Sequence, residues 1–302
     1  MPSHRYNLGM CGVDEWKKLN EDIQNLSDEA LDKGHVIGAL SRYDVEYLKY
    51  YTGIQADVIP SYSGFYVNID SYQPDKREIA IISPNSTHFH KKIISFLEPK
   101  FSLMSFNDMI NVPPSKELEK YSAVLLFPTD VVSYSLTELY ALTIPIFVPS
   151  IKFFLNYHEV SNCSSSDSMC TNYRISQGFK KEHFGFSMSR ISTSATYCSK
   201  DQKIEKDMRP DSNALKSIHP YSPNLDMSED AEAESYWLQL ADFYEWPHIN
   251  YFDSYDDLKD VLLSARFESI HFAMKQELVI RKDIVMNQWC NILQKIYDAK
   301  FS

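Results

Sequence analysis

The apolar positions of this chain fall in short unbroken runs, separated by stretches with helical spacing. "EIAIIS" (78–83), "SAVLLFP" (122–128) and "IPIFVP" (144–149) are apolar at successive positions rather than at every second one. That pattern suits a strand covered on both faces, as in a parallel sheet. Weaker runs at "HVIGAL" (35–40), "ADVIPS" (56–61), "FSLMSF" (101–106) and "HINYFDS" (248–254) predict further extended pieces. Between them the spacing turns helical. "SRYDVEYLKYYTG" predicts a helix opening at Ser41 and stopped by Gly53. Others are predicted through Leu97, from Leu136 to Leu142, over 255–263 and throughout 265–300, with a polar amphipathic helix at 14–33. "SEDAEAESYWLQLADFYEW" reads as one more, structural helix. Strands alternating with helices predict βαβ units. The expected fold is therefore α/β, a Rossmann-like parallel sheet with helices on both faces. Residues from about 156 to 232, rich in Ser, Asn, Asp and Lys, break the rhythm and read as a long insertion.

The 302 residues suffice for one large domain or two small ones. A net charge of -11 argues against nucleic acid as partner, because phosphate backbones are bound by basic surfaces. The 20 Tyr and 17 Phe fit an aromatic core and surface better than a dedicated platform. The five cysteines, Cys11, Cys163, Cys170, Cys198 and Cys290, form no close metal-type pair. One disulfide among the middle three would need an oxidising compartment. No apolar run approaches the length of a membrane span, and the first residues lack the apolar centre of a signal peptide. As written, the chain is expected in the cytoplasm. Only eight glycines occur, with no G-x-G-x-x-G, P-loop or G-x-S-x-G, so dehydrogenase, P-loop and serine-elbow chemistries are disfavoured.

In a doubly wound sheet ligands sit outside the carboxyl ends of the strands. Three loops should share that edge: "SRYD" with Ser41 and Arg42, the loop from Ser83 through Lys91 and Lys92, and "PTDVVSYSLTE". The last is richest. Ser133 and Ser135 precede a predicted first turn holding Thr137 and Glu138. Free N–H groups and hydroxyls there would suit an anion, leaving Glu138 to accept from vicinal hydroxyls. Equally, Ser135 and Glu138 have the S-x-x-E spacing of a capping box. Arg42 could meet a phosphate or pair with Asp44 or Glu46. Lys91 could face a diphosphate or solvent. His88 and His90 alternate along the chain, and metal binding or acid–base catalysis there is only the minor reading. His219, in the proline-bounded "HPYSPN", could cap a pocket or lead into the following helix.

The stretch "LLFPTDVVSYSLTELYALTIPIFVPS" resembles the nucleotide-sugar-binding half of GT-B glycosyltransferases, in which a strand, a loop with an acidic residue and Glu-x-x-Ala-x-Gly-x-Pro lead into the next strand. Here Asp130 precedes Glu138 by eight positions, Ala141 and Pro145 follow, and Thr143 replaces the glycine. In weaker form the likeness extends over about 35–300. It implies that Glu138 holds the ribose hydroxyls of a nucleotide-diphosphate sugar and that Asp130 lies near the sugar. Ser133, Ser135 and neighbouring amides would cradle the diphosphate, with no cofactor and no metal required. The donor-binding set expected on this basis is Glu138, Asp130, Ser133, Ser135, Thr137, Arg42, Ser41, Ser83, Lys91 and His219. No residue is assigned as catalytic base.

The likeness also divides the chain: 1–34 as a helical remnant of, or linker from, an N-terminal domain; 35–264 as the donor-binding domain; 265–302 as helices crossing back. A GT-B enzyme carries two such domains, so the expectation is a donor-binding half with an incomplete or missing N-terminal domain. A secretory or Golgi location follows if an anchor went with it. The expected function is transfer of a sugar from a nucleotide-diphosphate donor to a glycan or glycoconjugate acceptor. The alternative is a non-catalytic interaction protein that keeps the sheet.

Overall fold

A computed structural model describes residues 18, 21–26, 35–67, 72, 75–82, 93–98, 100–105, 118, 120–127, 134–160, 219–221 and 231–301. Its centre is five parallel strands: β3 (Asp75–Ile82), β4 (Ser102–Ser105), β5 (Tyr121–Leu126), β6 (Ile146–Pro149) and β7 (Asn250–Phe252). Their order in space is β4-β3-β5-β6-β7. The chain steps outward from β3 to β4, then returns to the other side of β3 with β5. The direction of winding therefore reverses between β3 and β5.

The consecutive apolar runs are explained by two cores, one on each side of the sheet. Ala80, Val124, Leu126, Ile146 and Val148 enter one cluster; Ile79, Ile81, Ala123, Leu125 and Phe147 enter the other. Successive side chains of a strand point to opposite faces, so both faces must be apolar, and every residue of β5 and β6 is buried. The first face is covered by α1 (Arg42–Thr52), α2 (Tyr134–Ala141), α3 (Ile151–Val160), α4 (Ala231–Leu238) and α5 (Asp242–Glu245). The second meets Ile93 and Leu97 of a helical stretch at 93–97 and Leu258 and Leu262 of α6 (Tyr255–Ser264). The expected sheet with helices on both faces is present.

Other expectations need correction in detail. "HVIGAL" and "ADVIPS" supply β1 (Gly38–Ala39) and β2 (Asp57–Val58), which pair with each other in a separate two-stranded parallel sheet. They do not join the five strands. With α1 they form a β–α–β unit around Val45, Leu48 and Ala56. The helix predicted from near 229 divides into α4 and α5, because Leu240 and Ala241 turn to i→i−3 bonds, with Trp237 and Leu238 carbonyls, before Ala241 adopts an extended φ, ψ of -76, 142. α3 reaches into the stretch read as an insertion; its start is set by Ser150, whose Oγ accepts from Phe153 N at 3.1 Å. Positions 161–218 of that stretch lie outside the described residues. The last helix, α7 (Phe267–Phe301), is a single run of 35 residues. It lays Met274, Val285 and Ile292 inward, and Gln288 Nε2 donates to the Val58 carbonyl at 2.7 Å. No helix among the described residues is long and apolar enough to cross a membrane.

Candidate functional site

The reversal between β3 and β5 places the ligand crevice of such a sheet at their carboxyl ends. The outer strands show what that edge looks like when it serves structure alone. After β6, Ser150 caps α3 and donates to Asp253 Oδ1. After β7, Ser254 Oγ accepts from Asp257 N at 3.0 Å and Asp257 Oδ2 accepts from Asp253 N at 2.7 Å. Those polar groups are consumed by helix starts. The carboxyl end of β5 leads instead, through 128–133, into α2.

α2 begins at Tyr134. Glu138 is therefore its fifth residue, two positions further in than the capping-box spacing suggests, and Ser135 lies within the helix. Leu136, Leu139 and Tyr140 bury the opposite side of α2 at 0–3% exposure, which turns Glu138 outward to solvent. Beside it runs a hydroxyl chain from the 3-10 turn Ser63–Phe65. Ser63 Oγ and Thr137 Oγ1 are 2.7 Å apart, both buried. The Tyr66 hydroxyl lies 2.9 Å from Ser63 Oγ and 3.2 Å from Glu138 Oε1. One phenolic proton cannot fully serve both acceptors. The shorter bond to Ser63 takes the larger share, and the carboxylate keeps acceptor capacity toward solvent. Thr137 thus anchors the turn from beneath instead of lining the outer surface.

Past α2 the chain turns at Thr143 with φ 56, a left-handed value that a β-branched residue rarely adopts. His271 of α7 holds it there. Thr143 Oγ1 lies 2.7 Å from the Leu142 carbonyl and 2.9 Å from His271 Nδ1, and that nitrogen is 3.0 Å from the Thr143 carbonyl. The hydroxyl proton goes to Leu142, so Nδ1 carries the imidazole hydrogen and shares it between the two Thr143 oxygens. Tyr72 stacks on the ring at 4.3 Å and donates to the Ser122 carbonyl of β5.

The other expected residues fall in a different place. Ser41 is the N-cap of α1, its Oγ accepting from Asp44 N at 3.0 Å. Arg42 Nη1 meets Glu245 Oε1 at 2.9 Å, neither Asp44 nor Glu46. Burial pushes the Glu245 carboxyl up, against the pull of that guanidinium. His219 is 7% exposed. Its Nε2 donates to Glu46 Oε2 at 2.7 Å, so Nδ1 accepts from the Tyr236 hydroxyl at 2.6 Å, and the ring lies 4.8 Å from that of Trp237. Burial pushes the imidazole down, opposed by the hydrogen bond to Glu46. Tyr236, with Tyr221, Glu232, Ser235 and Gln239, lines an open depression of about 390 Å3. Arg42 and His219 thus join α1 to α5 and α4, Ser41 caps α1 alone, and Thr137 and Glu138 face the Ser63–Tyr66 segment. Asp130, Ser133, Ser83 and Lys91, with His88 and His90, lie outside the described residues. Among the described residues no group of three or more His, Cys, Asp or Glu side chains could hold a metal ion.

Sequence reasoning missed Ser63, Tyr66 and Tyr236, and named Glu46 only as a partner for Arg42. Tyr66 and Glu138 are 72 positions apart, and no local spacing links them. The available signal was the run "PSYSGFYV" itself, two serines among aromatics beside a glycine. No known family model, curated protein or solved structure matches this chain.

Proposed function

We propose that the chain binds a nucleotide-diphosphate sugar and serves as the donor-binding part of a GT-B-type glycosyltransferase. The observation that carries this reading is Glu138, exposed on α2 directly after the loop that leaves the central strand at the winding reversal. A carboxylate accepts from two adjacent hydroxyls at once, and charge-assisted bonds of this kind contribute about 1.5–3 kcal/mol each. The backbone at Thr143 supports it independently. In Glu-x-x-Ala-x-Gly-x-Pro the glycine falls at this position, and its φ of 56 is one that glycine adopts without strain. Such a turn suits the glycine of that motif, although threonine stands here. The start of α2 would stabilise negative charge on the departing diphosphate.

Titration calorimetry with UDP, GDP and their sugars tests this. Binding is expected, and Glu138→Gln should weaken it by about 10-fold or more, the loss of one charge-assisted bond. Tyr66→Phe, which frees the carboxylate from its phenol, should leave binding intact or tighten it. Absence of heat with every nucleotide would overturn the donor-binding reading. A second reading, an interaction protein that keeps the sheet without turnover, is favoured by the large apolar side chains that α7 leaves exposed, Trp289, Leu293 and Phe301 among them, and would be left standing by that result.

A further inference from the structure

The residues of α4 divide by face. Ala233, Trp237 and Leu238 are buried to 0–1% exposure and hold the helix on the core. Glu232, Ser235 and Tyr236, with Gln239 just past the helix end, keep a helical spacing of their own on another side. Together with Tyr221 they line the open depression of about 390 Å3, toward the lower end of the roughly 300–1,000 Å3 typical of small-ligand sites. Its aromatic walls are Tyr221 and Tyr236, whose rings stand 5.7 Å apart and inclined at 61°. Both are half-buried and pack in part on the core. Trp237 Nε1 donates to the Tyr221 carbonyl at 3.1 Å, and the Trp237 ring meets that of Tyr236 edge-on at 5.6 Å. The corner the two tyrosines make is therefore fixed before any ligand arrives, which lowers the ordering cost of binding.

Two features give that corner a sign. Each phenol acts as a donor, Tyr221 to Glu232 Oε2 at 3.1 Å and Tyr236 to Nδ1 of the buried His219 at 2.6 Å. Donation to a carboxylate and to an imidazole polarises the phenols and deepens the negative potential over the ring faces. Glu232 adds a formal negative charge at the rim, and among the described residues no cationic side chain lines the depression. Arg42, a cation of the adjoining α1, is paired with Glu245. An anion would be repelled here, and an uncharged group would gain nothing from the ring faces.

We propose that this corner binds a methylated ammonium group, the head that choline and trimethyllysine share. A cation within about 6 Å of a tyrosine ring centre is attracted by the negative face, and two inclined rings offer two such faces to one head, with the charge also drawn to Glu232. Methylation matters. A bare ammonium is strongly hydrated and carries three donors that each need an acceptor, whereas a fully methylated head has none and sets its methyl groups against the ring carbons. The proposal does not rest on nucleotide binding, since Glu138 lies on α2 against the Ser63–Tyr66 segment.

Saturation-transfer NMR on the 302-residue chain tests this. The probes are choline, trimethyllysine and the tert-butyl analogue of choline, in which a neutral carbon replaces the nitrogen. At least one of the two cations should bind, with a dissociation constant on the order of 1 mM, and titrating them side by side shows which source the site prefers. The neutral analogue should bind about 5-fold or more weakly than choline. Tyr236→Leu should weaken choline binding by a similar factor, while Tyr236→Phe, which keeps the ring, should retain most of it. Glu232→Gln, at an exposed position, should weaken it several-fold. Saturation transfer to neither cation overturns the proposal. So does equal binding of choline and its neutral analogue, a comparison that needs no variant to fold. Choline binding untouched by Tyr236→Leu, or displaced by UDP, overturns it as well. A chain that binds choline but no nucleotide keeps this site and loses only the donor reading.

Discussion

At the scale of single residues, Thr143 states most clearly what the fold demands. The left-handed turn after α2 favours glycine, and a β-branched residue there costs about 1–2 kcal/mol. His271 offsets part of this through a hydrogen bond worth about 1 kcal/mol. Thr143→Gly removes strain and bond together, while Thr143→Val keeps the strain and loses the bond. Glycine is expected to be neutral or slightly stabilising in urea unfolding, and valine about 1 kcal/mol destabilising. A glycine variant no more stable than the valine variant would show that backbone strain does not decide this corner, because both variants lack the hydroxyl bonded to His271. The same scale limits what the sequence discloses. Glu138 was legible because its motif is local, and the structure turns it to solvent. Its neighbour Tyr66 was not, because their contact exists only once β2 and α2 have been brought together.

The elements were largely legible, and α1 shows why. Its boundaries rest on local chemistry: Ser41 accepts from Asp44 N, and Gly53 closes the helix with φ 76 and an N–H to the Lys49 carbonyl. A side chain at Gly53 would meet nothing within 4 Å, so Gly53→Ala isolates backbone strain from packing. It should cost about 1 kcal/mol in thermal or urea unfolding. A neutral result would mean that the helix end relaxes to another cap. Pairing was less legible than existence. β1 and β2 read as members of the main sheet because short apolar runs do not say which neighbours they take. Their separation follows from tertiary contacts: α1 lays Val45 and Leu48 on the small sheet and Tyr43 and Tyr47 on the large core. The α4–α5 break was likewise hidden, since no glycine or proline lies between Ala231 and Glu245.

Across the whole molecule, two buried ionisable groups tie α1, α4, α5 and α7 into one layer and act on stability in opposite directions. His219 joins Glu46 of α1 to Tyr236 of α4. Asp242 is 5% exposed. Burial first, then the nearby Asp44 and Glu245 carboxylates, push it up to about 7, against Arg281 and a hydrogen bond with Trp246. The Arg281 guanidinium lies 3.9 Å from the centre of the Trp246 ring. Asp242 holds its proton to a higher pH when folded than when unfolded, so its effect is to lower stability progressively as pH rises from about 4 to about 7. His219 has the reverse sign. Folding pushes its imidazole below the usual 6.5, despite Glu46, with Lys49 and Arg42 acting in the same direction as burial. Stability contributed by the neutral ring is present above 6.5 and declines as pH falls through the folded value. Between pH 5 and pH 7 the two slopes oppose each other. Asp242→Asn should therefore unmask the histidine, giving a melting temperature that climbs with pH, with the largest gain over the unaltered chain near pH 8. His219→Gln should unmask the carboxyl, giving a melting temperature that falls over the same range. Thermal unfolding of the three proteins at pH 5, 6, 7 and 8 decides it. Parallel curves would mean that neither group changes its proton affinity on folding.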